Sequence, residues 1–285
     1  MEWKDCAYAK INLTLDILGK LPNGYHSLSM VMQSVSLHDD VILRIDSEKP
    51  GIRVDCGGGA PSGPENIVWK AARAFFDSCG ITGYGVSFTV IKRTPSQAGM
   101  GGGSSDAAAA LRLLNRAFGT GLSARELRAL GAKIGADVPF CITGGTMKAG
   151  GIGELLTPAA PLPACSILLC KPAIGVSTPQ AFRQADSAPA VPEKTPAMLR
   201  ALETGRLEMV AGCLGNRFQE ILHIPEIREI TAGMKQLGAL GACMTGSGSV
   251  VFGLFRQEEE AQKAAETICR MGDTWVVSPM GETAL

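Results

Sequence analysis

The sequence predicts an α+β fold of two domains with a cleft between them. Strand-like and helix-like segments are mixed along the chain, a proline-rich segment divides it, and glycines cluster between apolar segments. A length of 285 residues suits two modest domains. We place the boundary at the start of the proline-rich segment Leu156–Pro163, which gives domains over residues 1–155 and 156–285.

Periodicity predicts the elements of the first half. Alternating or apolar runs are typical of strands, and they occur at 41–45, 52–56 and 86–91. Apolar residues at helical spacing predict two helices, each followed by a glycine, at 66–79 and 106–118. Ser123 and Glu126 form a capping box that begins a third helix.

The second half is predicted in the same way. An apolar run indicates a buried strand at 166–170, and three prolines indicate an exposed loop at 187–196. The remaining helices are predicted near 197–203, 207–214, 226–237 and 258–271, with a strand at 250–255 before the last of them.

Composition excludes several classes of protein. The formal charge is zero, with 27 basic and 27 acidic residues, so the sequence predicts no nucleic-acid partner. We find neither a polybasic run nor an apolar stretch of about 18 residues, and therefore expect no membrane partner. Nine cysteines without paired spacing suggest a reducing compartment, and the polar start Met1–Cys6 is no signal peptide. We expect a cytoplasmic protein.

One glycine-rich loop carries the clearest chemical signal. The segment Pro95–Asp106 has glycine at four of the five positions 99–103, then two serines, and leads into an alanine-rich helix. Free N–H groups and the positive end of a helix dipole attract anions, and glycines let the backbone approach them. An ordinary helix capped by Ser104 or Ser105 is the alternative. The loop lacks the Lys-Ser/Thr of a Walker A motif and the spacing of a dinucleotide fingerprint.

The run Gly-Met-Gly-Gly-Gly-Ser-Ser-Asp-Ala-Ala resembles the phosphate motif of the galactokinase, homoserine kinase, mevalonate kinase and phosphomevalonate kinase (GHMP) superfamily. The segment Gly241–Ser249 resembles the C-terminal glycine motif of the same superfamily, although taken alone it could be an ordinary turn. This resemblance implies a small-molecule kinase with the two-domain GHMP fold. Residues 1–155 would bind ATP, and residues 156–285 would form the substrate side.

Three further segments narrow the resemblance: 7–13, 23–26 and 135–140. Together they are similar to a GHMP family that transfers the ATP γ-phosphate to the 2-hydroxyl of a cytidine-diphosphate-linked methylerythritol in the non-mevalonate isoprenoid pathway. The matching positions run from Ala7 to about Phe255. A homoserine or mevalonate type of kinase, and a non-catalytic nucleotide sensor, are the alternatives.

The resemblance implies that Lys10 and Asp137 are the catalytic pair. From the residues alone, a solvent-facing lysine on a half-buried strand is the favoured interpretation of Lys10, and a turn or helix-cap aspartate is the alternative for Asp137. As a pair, Asp137 would orient the acceptor hydroxyl and take its proton late, while Lys10 would keep Asp137 ionised.

The remaining site residues also follow from the resemblance. Tyr25 and Phe182 would sandwich the cytosine ring, His26 would bind its edge, and Asn12 and Thr178 would contact substrate. Asn66 would lie near the adenine, with a helix cap as its alternative. The ATP phosphates would contact Pro95, Ser96, Gln97, Ala98, Gly99, Met100, Gly101, Gly102, Gly103, Ser104 and Ser105.

Mg²⁺ is expected with ATP, because it neutralises the β- and γ-phosphates in such transfers. Its ligands stay unassigned, with Ser104, Ser105 and Asp137 as candidates. A monomer and a homodimer are equally compatible with the sequence.

Overall fold

The computed structural model describes residues 1–46, 48–57 and 61–283. The strands in this part of the chain are β1 Glu2–Lys20, β2 His26–Ile45, β3 Gly51–Cys56, β4 Gly85–Ile91, β5 Thr146–Gly150, β6 Leu155–Pro158, β7 Ser166–Lys171, β8 Gly215–Asn216, β9 Gly241–Met244, β10 Val251–Phe255 and β11 Asp273–Val277. The helices are α1 Ile67–Cys79, α2 Gly102–Ala117, α3 Ala124–Ala132, α4 Val138–Thr143, α5 Thr178–Ala185, α6 Thr195–Glu203, α7 Leu207–Gly212, α8 Arg217–Leu222, α9 Pro225–Gln236 and α10 Glu258–Ile268.

A seven-stranded sheet is formed mostly by the first half, in the order β3-β4-β2-β1-β8, with β8 contributed by the second half. Off this path, β5 pairs with β2, and β6 pairs with β5. The long strands β1 and β2 form an antiparallel pair. The end of β2, Asp40–Ile45, pairs with β4, whereas Met30–Gln33 pairs with β5. Strand β2 therefore pairs with β1 along most of its length, with β4 near its C-terminal end and with β5 near its N-terminal end.

Helices α1 and α2 bury their apolar faces in the first half of the molecule. Asn66 caps α1 by accepting from the N–H of Val68, and Gly80 ends the helix in the left-handed conformation. The predicted helix at 66–79 is thus confirmed to within one residue. Helix α2 begins at Gly102, four residues before the prediction, because Gly102 and Gly103 already belong to its first turn.

The second sheet is antiparallel, in the order β11-β7-β10-β9. Alternate residues of a strand point to opposite faces. Ile167 and Phe252 belong to one hydrophobic cluster with Ala9, Ile11 and Leu13 of β1. Strand β1 therefore connects the two halves, which gives the residues at its middle a fixed position between them.

The proline-rich segment differs in part from its prediction. Leu155–Pro158 forms β6 and pairs with β5, so only the rest of the segment is a connection. Prolines are tolerated there because β6 pairs on one side only and does not need every N–H. The domain boundary at residues 155 and 156 falls inside this strand and stays a prediction. Among the helices described, none has the length and apolar character needed to span a membrane.

Arg112 of α2 is a buried charge beneath β1, with its side chain only 1% exposed. Its Nε donates to Asp5 Oδ2 at 2.8 Å, and its two terminal nitrogens donate to the carbonyls of Cys141 and Cys6. A buried guanidinium is tolerated when its donors are satisfied in this way. The residue joins α2, α4 and β1 behind the glycine-rich loop that precedes α2.

We expect Arg112→Met to lower the free energy of unfolding by about 3–5 kcal/mol, because it leaves Asp5 and two carbonyls without their donor. Urea denaturation measures the change. The matched control is Arg116→Met, because Arg116 also lies 3.4 Å from Asp5 but is 40% exposed. Arg116→Met should lower the free energy of unfolding by less than about 1 kcal/mol. Equal costs for the two variants would contradict the structural role of Arg112.

Candidate active site

A cleft of about 820 Å³ opens between the two halves of the molecule. Its walls come from the middle of β1, the loop before α2, the start of α4 and two loops of the second half, at 175–182 and 246–248. Every predicted substrate or catalytic residue except Tyr25 and His26 lines this cleft. The predicted position of an active site between the halves is confirmed.

The glycine loop before α2 has the geometry of an anion cradle. Gly99 and Gly101 have φ angles of +72° and +69°, which side-chain-bearing residues rarely adopt. The first helical hydrogen bond of α2 runs from Ser105 N–H to the carbonyl of Gly101. The N–H groups of Gly102, Gly103 and Ser104 precede this bond and lie at the positive end of a 16-residue helix.

This loop packs directly on the glycine loop of the second half. A Cβ atom at Gly99 would lie 2.2 Å from the Thr245 carbonyl oxygen, and one at Gly246 would lie 2.7 Å from the Gly99 carbonyl oxygen. Neither backbone can move away without opening the cleft. The segment Gly241–Ser249 is therefore more than an ordinary turn, since it contacts the phosphate loop backbone to backbone.

Lys10 lies in the cleft next to this contact. The register of β1 against β2 shifts between Tyr8 and Lys10, and such bulges redirect side chains. The Lys10 ammonium donates to Asn12 Oδ1 at 2.7 Å and lies 3.6 Å from Asp137 Oδ2. Its side chain is 5% exposed, so the alternative of a solvent-facing lysine is wrong.

Asp137 occupies the N-cap position of α4, yet within the described residues its carboxylate makes no capping hydrogen bond. The side chain is 32% exposed and faces the cleft beside Lys10. Because the capping role is not used, the carboxylate has free lone pairs for a ligand.

Asn12 is fully buried and joins the two glycine loops to Lys10. Its Oδ1 accepts from the Lys10 ammonium and from the N–H of Gly246 at 3.1 Å. Its own N–H donates to Thr245 Oγ1 at 2.9 Å. The proposed substrate contact of Asn12 stays a prediction, and the structure adds that its amide holds Lys10 in place.

Aromatic side chains occupy the end of the cleft. The rings of His26 and Phe182 stack with centroids 4.6 Å apart, and Phe182 meets Phe218 edge to face at 4.9 Å. Asp186 Oδ1 lies 2.6 Å from His26 Nε2. Sequence reasoning missed Asp186 because it lies 160 residues from His26 along the chain.

Tyr25 and Thr178 lie at the rim of this region. Tyr25 is 60% exposed, and the face of Phe182 is covered by His26. The sandwich of the cytosine ring between Tyr25 and Phe182 stays a prediction. The Thr178 hydroxyl is 2.6 Å from the Ser247 hydroxyl and links α5 to the second glycine loop.

A second depression of about 380 Å³ lies on the other side of the phosphate loop. It is lined by the whole loop from Pro95 to Ser104 together with Ile67 and Lys92. Asn66 precedes Ile67 and acts as a helix cap, which confirms the alternative interpretation of that residue. Its predicted position near the adenine stays a prediction.

The two serines of the loop differ in orientation. Ser105 is 1% exposed, and its hydroxyl donates into the protein, to the carbonyl of Tyr8 at 2.7 Å. Ser104 lines both depressions. The hydroxyl of Ser104 and the carboxylate of Asp137 are hard oxygen donors at the cleft, so they fit Mg²⁺, whereas the Ser105 hydroxyl does not.

Sequence reasoning also missed a cluster of charges below the phosphate loop. The Lys92 ammonium donates to Asp39 and, at 2.7 Å, to Asp106 Oδ2. Asp39 also accepts from the N–H groups of Arg93 and Thr94. In the described part of the chain the other oxygen of Asp106 is buried without a hydrogen-bond partner. Burial raises the pKa of Asp106 to about 7, although Lys92 opposes the shift.

The fold and this site define a GHMP kinase. The families described as "GHMP kinases N terminal domain" and "GHMP kinases C terminal" match residues 66–145 and 198–274. A 4-diphosphocytidyl-2-C-methyl-D-erythritol kinase of Desulfitobacterium hafniense (strain Y51) is 43% identical over 263 residues, which cover 91% of this chain and 89% of the relative. The corresponding kinase of Pelotomaculum thermopropionicum is 42% identical, with 95% and 96% covered. The chain belongs to the family of 4-diphosphocytidyl-2-C-methyl-D-erythritol kinases.

Solved structures agree with this assignment. A crystal structure of 4-(cytidine 5'-diphospho)-2C-methyl-D-erythritol kinase superposes with a TM-score of 0.82 and 33% identity, covering 98% of this chain and 100% of that chain. A homoserine kinase from Cytophaga hutchinsonii superposes with a TM-score of 0.77 at 19% identity, over 99% of this chain and 95% of that chain, which shows the shared fold alone.

We predict that Asp106→Asn changes how stability depends on pH. The unfolded carboxyl has its ordinary pKa of 3.8 and the folded one a pKa of about 7, so the folded state holds this proton more tightly between those values. Stability of the native protein should fall as pH rises from about 5 to about 8, relative to the Asn variant. Thermal denaturation of both proteins at the two pH values measures how much the difference in stability between them changes with pH. A constant difference would show that Asp106 has an ordinary pKa.

Proposed function

We propose that this chain transfers the γ-phosphoryl group of ATP to the 2-hydroxyl of 4-diphosphocytidyl-2-C-methyl-D-erythritol in the cytoplasm. The observation that carries the proposal is the Lys10–Asp137 pair, which lies in the cleft between the phosphate loop and the aromatic end. A phosphate cradle on one side and a base-stacking surface on the other suit a nucleotide-linked acceptor.

The phosphate loop would bind ATP chiefly through its backbone. The free N–H groups at the start of α2 would hold the phosphates, and the depression with Ile67 and Lys92 would take the nucleoside end. Bound Mg²⁺ would neutralise the β- and γ-phosphates, with Ser104 and Asp137 as protein ligands. Lys10 adds a buried positive charge on the acceptor side of the loop.

The acceptor hydroxyl would lie against Asp137. Its oxygen forms a bond to the γ-phosphorus while the bond to the bridging oxygen of ADP breaks, and its proton passes late to the Asp137 carboxylate. A late transfer suits a carboxylate, which is a weak base for an alcohol. Lys10, held by Asn12, lies 3.6 Å from the carboxylate and orients it.

The cytosine of the acceptor would bind at the aromatic end. We propose that it takes the place of the His26 ring on Phe182, that His26 turns its Nε2 to the base edge, and that Tyr25 closes over it from the rim. Stacking of a base on an aromatic side chain contributes about 1–3 kcal/mol in nucleic-acid complexes. The Asp186 carboxylate, now 2.6 Å from His26, fixes the orientation of the imidazole before the acceptor arrives.

Homoserine and mevalonate kinases share only the fold with this chain, at 19% and 18% identity in the solved examples. A non-catalytic sensor would have no need for the buried Lys10 facing a free carboxylate. We therefore expect ADP release with the cytidine-linked acceptor and not with homoserine or mevalonate. A coupled assay measures ADP release with each of the three acceptors. Release only with homoserine, or only with mevalonate, would overturn the acceptor assignment.

Asp137→Asn should lower kcat by about 10²–10⁴, the usual range for loss of a general base, while ATP affinity changes little. The amide keeps the shape of the side chain but neither accepts the proton nor attracts Lys10. Single-turnover assays give the rate, and calorimetric titration gives ATP affinity. Asp55→Asn is the control, because Asp55 is an exposed carboxylate on β3. An unchanged kcat in Asp137→Asn would remove Asp137 from the reaction.

His26→Ala should raise KM for the acceptor by about tenfold or more, because the variant loses the hydrogen bond to the base edge, while KM for ATP stays unchanged. Steady-state kinetics with each substrate varied in turn separates the two constants. A rise in both KM values would indicate a general loss of structure instead. If neither KM value rises, the cytosine base does not bind at His26.

A further inference from the structure

Three potential metal ligands lie together on the first sheet, outside the cleft. Cys6 of β1 is directly opposite Asp40 of β2, and Tyr8 is opposite His38. Residues opposite each other in an antiparallel pair share a face, and so do residues two apart on one strand. The register therefore places Cys6, His38 and Asp40 on one face of the sheet.

Their ligating atoms are close enough to share one ion. Cys6 Sγ, one ring nitrogen of His38 and one carboxylate oxygen of Asp40 all lie within 4.8 Å of one another. The His38 Nε2 to Asp40 Oδ1 distance is 3.6 Å. Ligands of a tetrahedral zinc ion are separated by about 3.3–3.7 Å, given bonds of about 2.0–2.3 Å. Small side-chain rotations on rigid strands would complete the geometry.

His38 is already held in a ligating orientation. Its Nδ1 is 2.8 Å from the Ser36 carbonyl, which can only accept, so Nδ1 carries the proton. Nε2, the nitrogen left for a metal ion, faces Asp40 Oδ1 at 3.6 Å. A hydrogen bond from the far nitrogen to a carbonyl is the usual support of a metal-bound histidine. Tyr8 packs edge to face on the ring at 5.3 Å and limits its rotation.

The charges around the cluster allow a cation but weaken its binding. Arg93 donates to Asp40 Oδ2 at 2.7 Å, which leaves Oδ1 for a metal. A thiolate and a carboxylate would carry two negative charges, and the Arg93 guanidinium offsets one of them. A soft thiolate with an imidazole selects zinc and its neighbours rather than Mg²⁺ or Ca²⁺.

We propose that Cys6, His38 and Asp40 form a binding site for Zn²⁺ or a similar divalent transition-metal ion, with water in the fourth position. The site joins β1 to β2 and is separate from the phosphoryl-transfer cleft. Cys6 is four residues before Lys10, or about 13 Å at the usual rise along a strand. An ion bound there stabilises the pairing of these strands and has no part in the reaction.

The test uses the full-length, reduced, metal-free protein and two ions, Zn²⁺ and Co²⁺. Competition with a chromogenic chelator should give one Zn²⁺ per chain, and Co²⁺ should show the thiolate-to-metal charge-transfer band. Loss of a supporting hydrogen-bond partner costs 10–100-fold in affinity. We therefore expect Cys6→Ser, His38→Gln and Asp40→Asn each to weaken Zn²⁺ binding by more than about 100-fold.

Two further variants make the test specific. Cys269→Ser removes an exposed thiol far along the chain and should leave binding unchanged. Arg93→Gln removes the opposing charge and should strengthen binding several-fold. Zn²⁺ should raise the melting temperature of the native protein but not that of Asp40→Asn, which is isosteric and keeps a partner for Arg93.

Native-like Zn²⁺ affinity in Cys6→Ser, or a Co²⁺ complex without the thiolate band, would overturn the proposal. Kinase turnover of Cys6→Ser should equal that of the native protein, since the residue is outside the cleft. A loss of turnover with an intact fold by circular dichroism would show that the cluster belongs to the catalytic machinery instead.

Discussion

The cleft depends on a backbone contact between two glycine loops. Gly99 of the phosphate loop meets Thr245 and Gly246 of the second half at distances that leave no room for a Cβ atom. Asn12 lies beneath the contact and hydrogen-bonds both Lys10 and the N–H of Gly246. Lys10, the glycine loop before α2 and the second half are therefore fixed relative to one another through the buried Asn12.

Two lysines, one buried and one half-buried, differ in how far nearby groups neutralise their charge. Lys10 is held by a neutral amide at 2.7 Å and has its carboxylate farther away, at 3.6 Å. Its charge is thus only partly neutralised and remains available to a phosphoryl group. Lys92 contacts two carboxylates, of which Asp106 has its pKa raised to about 7 by burial. The charge of Lys92 is therefore largely neutralised. This lysine is better suited to stabilising the loop than to binding a highly charged ligand.

Local signals in the sequence were sufficient for much of the fold. Some helix ends are marked by hydrogen bonds within a few residues, at the caps Asn66, Gly80 and Ser123. Helices α1 and α3 were therefore predictable. Strand β1 was recognised only around Lys10, because its bulges interrupt the alternation. The roles of Asn12, Asp186 and Lys92 depend on partners far away in the chain, and no local pattern contains that information. For the same reason, the sequence could not distinguish the buried Ser105 from the accessible Ser104.

The loop from Ala98 to Gly103 presents peptide groups to the cleft, while its two non-glycine residues, Ala98 and Met100, are buried in the core at 3% and 1% exposure. An inhibitor designed to hydrogen-bond these peptide groups would contact mainly the backbone, which a point mutation does not remove. Any larger residue at Gly99 would press on Thr245 and disturb the contact that holds this loop in place. Resistance to such a compound would therefore have to arise elsewhere in the cleft, at a cost in the enzyme's own nucleotide binding.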